Sequence, residues 1–298
     1  MLMNAQELIT RITALNVWKK GDQRAPHKPL LLLLALGRIH AELPRLIPFD
    51  QIDAKLTQLL QDFGPSRASY YPELPFWHLQ SDLIWEMPRS TGVLTASGSI
   101  SKKYLRDNHV EAGFTQEVYD LLKTNAELLQ QVAIQLLEDN FPSSVHQDIL
   151  DEVGLDFEAI PQLTTQKRAK RDPTFRRRIL EAYDYRCAIC NFSVRMENTP
   201  IALEAAHIKW FQAGGPDIES NGLALCSLHH KLLDRGALAI SNEQKIVVSE
   251  KANGHGGFQE WVLNFDGKAL LKPRNSLYAP QTEFTDWHIR EVFQGKYR

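Results

Sequence analysis

Residues 221–236 read N-G-L-A-L-C-S-L-H-H-K-L-L-D-R-G. This stretch decides the fold because Cys226 stands three residues ahead of His229, with a second histidine, His230, directly behind. The two other cysteines of the chain, Cys187 and Cys190, form a C-x-x-C pair upstream. Two knuckles with the same two-residue gap, using every cysteine available, have the spacing at which thiolates and an imidazole close a tetrahedral zinc site. With Cys187, Cys190, Cys226 and His229 filling all four positions, the expected Zn2+ is structural. It staples two distant segments and leaves no place for a substrate. The rival reading is three buried cysteines that are near one another only in sequence. His207, in the stretch E-A-A-H-I (204–208), and His230 remain outside the knuckles, and the functional reading rests on that surplus.

Working outward, 201–208 (I-A-L-E-A-A-H-I) reads as a strand with His207 near its end, and G-G-P (214–216) makes a turn. Asn221-Gly222 closes a loop, and 223–233 is helical in pattern. The order is strand, loop with an asparagine, helix with a histidine. Together with the phrases E-A-A-H-I, S-N-G-L-A-L-C and H-H-x-x-x-D-R-G, this resembles the HNH endonucleases and their ββα-metal fold. The resemblance implies phosphodiester hydrolysis. His207 would be the general base, Asn221 would hydrogen-bond the loop backbone and orient it, and His230 would hold a catalytic divalent cation (Mg2+, Mn2+ or another). Many members place a second metal ligand immediately before the base, where this chain has Ala206. The replacements at hand are Asp234, four residues after His230 on the same helix face, and Glu204. Taken singly, each of these residues could be an ordinary polar core residue; the joint spacing favours the site.

The bulk numbers are neutral. A chain of 298 residues fits two domains. With 43% hydrophobic residues, 23% charged and a net charge of -2, it has the composition of a soluble globular protein, in which a local basic patch can still hide. Three cysteines committed to a metal leave none for a disulfide, which fits a reducing cytoplasm. The start carries no signal-peptide pattern, and Leu30–Leu36 is too short to span a bilayer, so no membrane partner is expected.

The N-terminal part reads as mainly helical, with helices expected over 4–20, 29–41, 50–62 and 115–140 and a strand or hairpin over 76–87. Periodicity weakens and acid residues gather over 143–166. Then, within 167–178 (K-R-A-K-R-D-P-T-F-R-R-R), seven of twelve residues are basic and one is acidic. The expected class is α+β: a helical DNA-reading domain with a small β segment (1–142), a linker (143–166) and a zinc-stapled ββα-metal domain (167–298). Lys167, Arg168, Lys170 and Arg171 in the basic run are the expected phosphate contacts, giving salt-sensitive affinity without sequence preference.

Three phrases of the first domain, R-A-P-H-K-P-L-L-L-L (24–33), F-G-P (63–65) and Y-P-E-L-P-F-W-H-L (71–79), are similar to the sulfur-binding domain of modification-dependent, type IV HNH restriction endonucleases. That resemblance implies recognition of double-stranded DNA in which sulfur replaces a non-bridging phosphate oxygen. Sulfur is large, polarizable and weakly hydrated, so a shallow pocket of rings and methylenes accepts it where an oxygen would be stranded unpaired. Pro29 with the ring of His27 or Tyr71 is the expected floor, and Lys28, Arg24 or Arg67 the rim. The loop reaching Ser101, Lys102 and Lys103 is expected to touch bases or neighbouring phosphates. The chain is therefore expected to be a phosphorothioation-dependent restriction endonuclease, with a homodimer compatible with double-strand cutting. Two alternatives stand beside it: a zinc-stabilised DNA-binding module that does not cut, and an HNH nuclease whose first domain reads a modified base or another protein.

Overall fold

The computed structural model describes residues 3–17, 21–89, 93–95, 98, 100–157 and 172–298. It divides into two compact units, Met1–Thr164 and Thr165–Arg298, and its class is α+β.

The first unit is built on a helix that is apolar on nearly every side. It contains α1 (Ala5–Thr13), α2 (His27–His40), β1 (Ile47–Pro48), α3 (Phe49–Phe63), α4 (Glu73–His78), β2 (Trp85–Glu86), α5 (Lys102–Asp107), β3 (Glu111–Phe114), α6 (Gln116–Thr124), α7 (Ala126–Asn140) and α8 (His146–Val153). In α2, Leu30, Leu31, Leu32, Leu33 and Leu36 are all fully buried, which fits a helix surrounded by others. Helices α3, α4, α6, α7 and α8 pack around it. The three strands form one antiparallel sheet in the order β1-β3-β2.

Four elements of this unit differ from the sequence expectation. The first helix has the expected Asn4 cap, whose side chain accepts from the Glu7 N–H at 2.9 Å, but it ends at Thr13 rather than running to residue 20. The helix expected over 115–140 is two. Asn125 ends α6, and its side chain accepts from Leu128 N to start α7, a local bond that competes with helix continuation. Over 76–87 the chain forms α4 and a 3-10 turn (Leu79–Asp82), and only Trp85 and Glu86 are in a strand. Phe76 and Trp85 are core: Phe76 stands edge-on to Phe49 at 5.0 Å and to Trp85 at 6.5 Å, and prolines at 72 and 75 suit a helix start. Part of the segment expected as linker is packed, because α8 buries Ile149, Leu150 and Val153 behind an acidic outer face. The approach is close: a Cβ on Gly37 would come within 1.8 Å of the Val153 carbonyl oxygen.

The second unit contains α9 (Phe175–Ala182), β4 (Val194–Met196), β5 (Thr199–Ile201), β6 (Leu203–His207), β7 (Gly222–Cys226), α10 (Ser227–Asp234), β8 (Leu238–Ile240), β9 (Ile246–Val248), α11 (Phe258–Trp261) and α12 (Thr282–Glu291). Its strands pair as antiparallel hairpins, β4–β5, β6–β7 and β8–β9. Residues 223–226, expected at the start of a helix, belong to β7. Every residue of that strand is buried, and a continuous apolar run reads equally well as a buried strand or a buried helix. The helix begins at Ser227, so β6, β7 and α10 make a β-β-α unit with Leu203 opposite Cys226 and His207 opposite Gly222. Among the described residues, no helix is long and apolar enough to cross a membrane.

Candidate functional site

The two knuckles come together. Cys187 and Cys190 lie in the turn after α9, Cys226 ends β7 and His229 sits on the first turns of α10. Their donor atoms all lie within 4.8 Å of one another. Cys187 Sγ is 3.8 Å and Cys226 Sγ 3.1 Å from His229 Nδ1, and Cys190 Sγ is 3.9 Å from Cys226 Sγ. Zinc with bonds of about 2.3 Å to sulfur and about 2.0 Å to nitrogen sets neighbouring donors roughly 3.5–3.8 Å apart, so the group could hold that ion. His229 turns Nδ1 to the sulfurs because Nε2 donates to the Trp261 carbonyl at 2.9 Å. The upstream knuckle is tied to the hairpin by Ala188 N–H donating to the Ala224 carbonyl at 2.7 Å.

At the other end of the β6–β7 pair is a second group of side chains. His207, the last residue of β6, donates through Nε2 to Asp217 Oδ1 at 2.8 Å. Its ring stacks on Phe175 of α9, with centroids 4.2 Å apart and planes 14° apart. Asn221 is completely buried and fastens the intervening loop. Its Oδ1 accepts from Lys209 N at 2.8 Å, and its Nδ2 donates to the carbonyls of Lys209 and Pro216, each at 3.0 Å. Two glycines make this possible. A Cβ on Gly215 would stand 1.8 Å from the Lys209 carbonyl oxygen and 2.9 Å from Asn221 Nδ2. One on Gly222 would meet Ile179 Cδ1 at 2.2 Å and push away the helix that carries Phe175.

His230, on α10, stands between two carboxylates. Its Nδ1 is 2.5 Å from Glu204 Oε2 and its Nε2 3.1 Å from Asp234 Oδ2. Burial, the largest influence, disfavours the charged ring, but the bonds to Asp234 and Glu204 outweigh it and raise the pKa to about 10. The same contact with His230 holds the Glu204 carboxyl below its ordinary value, with Ser227 Oγ donating to its other oxygen at 2.5 Å. Glu204 and Ala206 alternate onto the same face of β6, so Glu204 presents its acid where Ala206 has none. Its side chain is 44% exposed against 2% for Asp234, which makes Glu204 the solvent-facing donor beside His230.

Asp217 and Phe175 were not among the residues singled out from sequence. Nothing in the spacing of G-G-P-D (214–217) marks an aspartate as the partner of a histidine ten residues earlier.

In the first unit the expected DNA contacts divide by environment. Lys28 is buried: its Nζ pairs with Asp82 Oδ2 at 2.5 Å and donates to the Asn16 carbonyl at 2.7 Å. Arg24 donates to the Phe63 carbonyl at 2.8 Å and lies over the Phe141 ring. Two of the three expected rim cations are thus held by internal partners. Lys102 pairs with the buried Asp53 at 2.6 Å, alongside Arg106, and Ser101 caps α5 through Tyr104 N. Arg67, Tyr71 and Lys103 are exposed, Pro29 is buried and His27 is half-buried. Burial, and then the Arg67 charge, lower the pKa of His27 below 6.5. Lys167, Arg168, Lys170 and Arg171 lie outside the described residues.

A profile described as ScoMcrA-like, DNA sulfur-binding domain matches residues 5–158, more than half of the chain. The chain belongs to the ScoMcrA-like DNA sulfur-binding family. An HNH endonuclease profile matches residues 187–241, which contain both histidine clusters, so this ScoMcrA-like chain joins a sulfur-binding module to an HNH endonuclease module. Similar solved structures include the sulfur-binding domain of ScoMcrA complexed with phosphorothioated DNA (24% identity, TM-score 0.43, 49% of this chain and 94% of that one). The type IV phosphorothioation-dependent restriction endonuclease ScoMcrA matches at 24% identity and TM-score 0.42, over 49% of this chain and 32% of that one. The modification-dependent restriction endonuclease TagI matches at 24% identity and TM-score 0.30, over 40% and 37%. The chain therefore spans about a third of the length of each of these two endonucleases. No curated protein matches it.

Proposed function

We propose that this chain is a phosphorothioation-dependent restriction endonuclease: residues 1–142 bind sulfur-modified double-stranded DNA, and residues 167–298 hydrolyse phosphodiester bonds nearby. The observation that carries the reading is the pair of histidines outside the zinc-type cluster, both held in place by carboxylates, on a chain that also carries a sulfur-binding module.

His207 takes a proton from the attacking water, a task suited to an imidazole near neutral pH. With Asp217 accepting the Nε2 proton, the base lone pair is on Nδ1. Asn221 keeps the loop from relaxing by pinning Lys209 and Pro216, and so holds the end of β6 in register. Glu204 and Asp234 offer carboxylate oxygens on either side of His230, whose ring offers a nitrogen only once an incoming cation displaces the proton shared with Glu204, a donor set that suits Mg2+ or Mn2+. When bound, such a cation supplies positive charge against the phosphate and the leaving 3′ oxygen. In the first unit, exposed Tyr71, half-buried His27 and exposed Arg67 offer ring surface with a cation nearby, the chemistry a thiophosphate requires.

The test is cleavage. With Mg2+ or Mn2+, the protein is expected to cut a phosphorothioated plasmid and spare the same plasmid without sulfur, and His207→Ala is expected to slow cutting by about 100-fold or more. Absence of cutting by the unaltered protein, or equal residual cutting by His207→Ala, favours a binding module that does not cleave.

A further inference from the structure

Resting on that reading, we propose that Asp217 is the positioning residue of the base: it fixes the tautomer and the direction of the His207 ring. Three observations lead there. The Asp217 carboxylate is the hydrogen-bond partner of His207 Nε2, at 2.8 Å, and both side chains are largely shielded, with 16% and 13% exposure. Phe175 stacked at 4.2 Å restricts the ring to one plane. A stack alone leaves the ring able to flip by 180° about its Cβ–Cγ bond, and a single directional acceptor removes that freedom.

The third observation is that Asp217 is itself braced. Its second oxygen, Oδ2, accepts from Asp172 N–H at 2.7 Å, so the carboxylate cannot rotate away from His207 without losing that bond. Its backbone carbonyl accepts from Arg178 Nη2 at 2.7 Å. Arg178 in turn pairs with Glu219 at 2.6 Å and Asp172 at 2.9 Å, and those two acids hold its pKa above the ordinary value. Asp172 also accepts from Thr174 N at 2.8 Å in the turn just ahead of α9. One network therefore orients the helix that supplies Phe175 and the loop that supplies Asp217, fixing the ring from its face and its edge together.

The chemistry follows from proton placement. A carboxylate accepts and cannot donate to Nε2, so the neutral ring carries its proton on Nε2 and its lone pair on Nδ1. When the ring accepts the water proton, the imidazolium that forms keeps its bond to Asp217. The aspartate touches neither water nor phosphate and acts only through His207.

Asp217→Asn is the discriminating variant, because the amide keeps the size of the side chain and can donate to Nε2, inverting the ring's preference. Nitrogen-15 spectra of the imidazoles, with His207 assigned by its loss in His207→Ala, are expected to show the Nε2–H form in the unaltered protein and predominantly Nδ1–H in Asp217→Asn. With phosphorothioated duplex and Mn2+, Asp217→Asn is expected to lower kcat about 100-fold, with KM within about twofold and zinc content and melting temperature unchanged. Asp217→Glu is expected to recover part of the rate. An unchanged tautomer in Asp217→Asn, or an unchanged kcat, overturns the proposal. If the tautomer inverts while the unaltered protein cuts no DNA, Asp217 keeps its role on the ring and the nuclease reading fails by itself.

Discussion

His229 and His230 are neighbours on one helix, yet the chain uses them in opposite ways. His229 is fully buried, with Nδ1 at two sulfurs and Nε2 on a backbone carbonyl. His230 faces carboxylates on both sides, one of them nearly half exposed. Successive residues on a helix are turned by about 100°, enough to send one ring into the scaffold and the other toward Glu204 of β6. A donor set completed by the protein closes a site and stabilises it, whereas a set completed partly by open carboxylates leaves room for another ligand.

The sharpest way to break that contrast is to exchange the consequences of losing each centre. Cys226→Ser is expected to lose zinc and unfold the second unit, since structural zinc contributes on the order of 10 kcal/mol to such folds. Zinc stoichiometry and near-ultraviolet circular dichroism measure this. His230→Ala is expected to retain zinc and the melting temperature of the unaltered protein while cutting DNA at least about tenfold more slowly. Full zinc and unchanged stability in Cys226→Ser would dissolve the distinction.

A smaller effect separates the two units. The lowered pKa of His27 means that the folded ring stays neutral at a pH where the unfolded one takes a proton. Above pH 6.5 both forms are neutral and nothing differs; as pH falls below 6.5 the unfolded chain binds more protons, so stability falls. Denaturant titrations of the protein between pH 7 and pH 5 are expected to show this slope in the first unit, and His27→Gln is expected to flatten it. A slope unchanged by the substitution would remove burial of His27 as its cause.

What was legible in the sequence follows the length scale of each interaction. The Cys3His cluster was readable because its ligands come in local pairs with a fixed gap, and the helices around Leu30–Leu36 because an apolar run of that length has few other uses. The start of β7 was not, since L-A-L-C satisfies a buried strand and a buried helix alike. The break at Asn125 depends on a single side chain preferring a cap to a helix interior. Lys28 looked like a surface cation, and only the fold brings Asp82 to it across 54 residues. Asp217 was invisible for the same reason: its partner lies on the far side of a loop whose path is set by Asn221 and Gly215.

On the proposed function, sulfur in the DNA backbone selects the substrate. Equilibrium binding of the full chain to two duplexes of identical sequence, differing by one non-bridging sulfur atom, tests it most directly at fixed salt. Affinity for the sulfur-bearing duplex is expected to be at least about tenfold higher, a difference of about 1.4 kcal/mol. Equal affinity for both would contradict it.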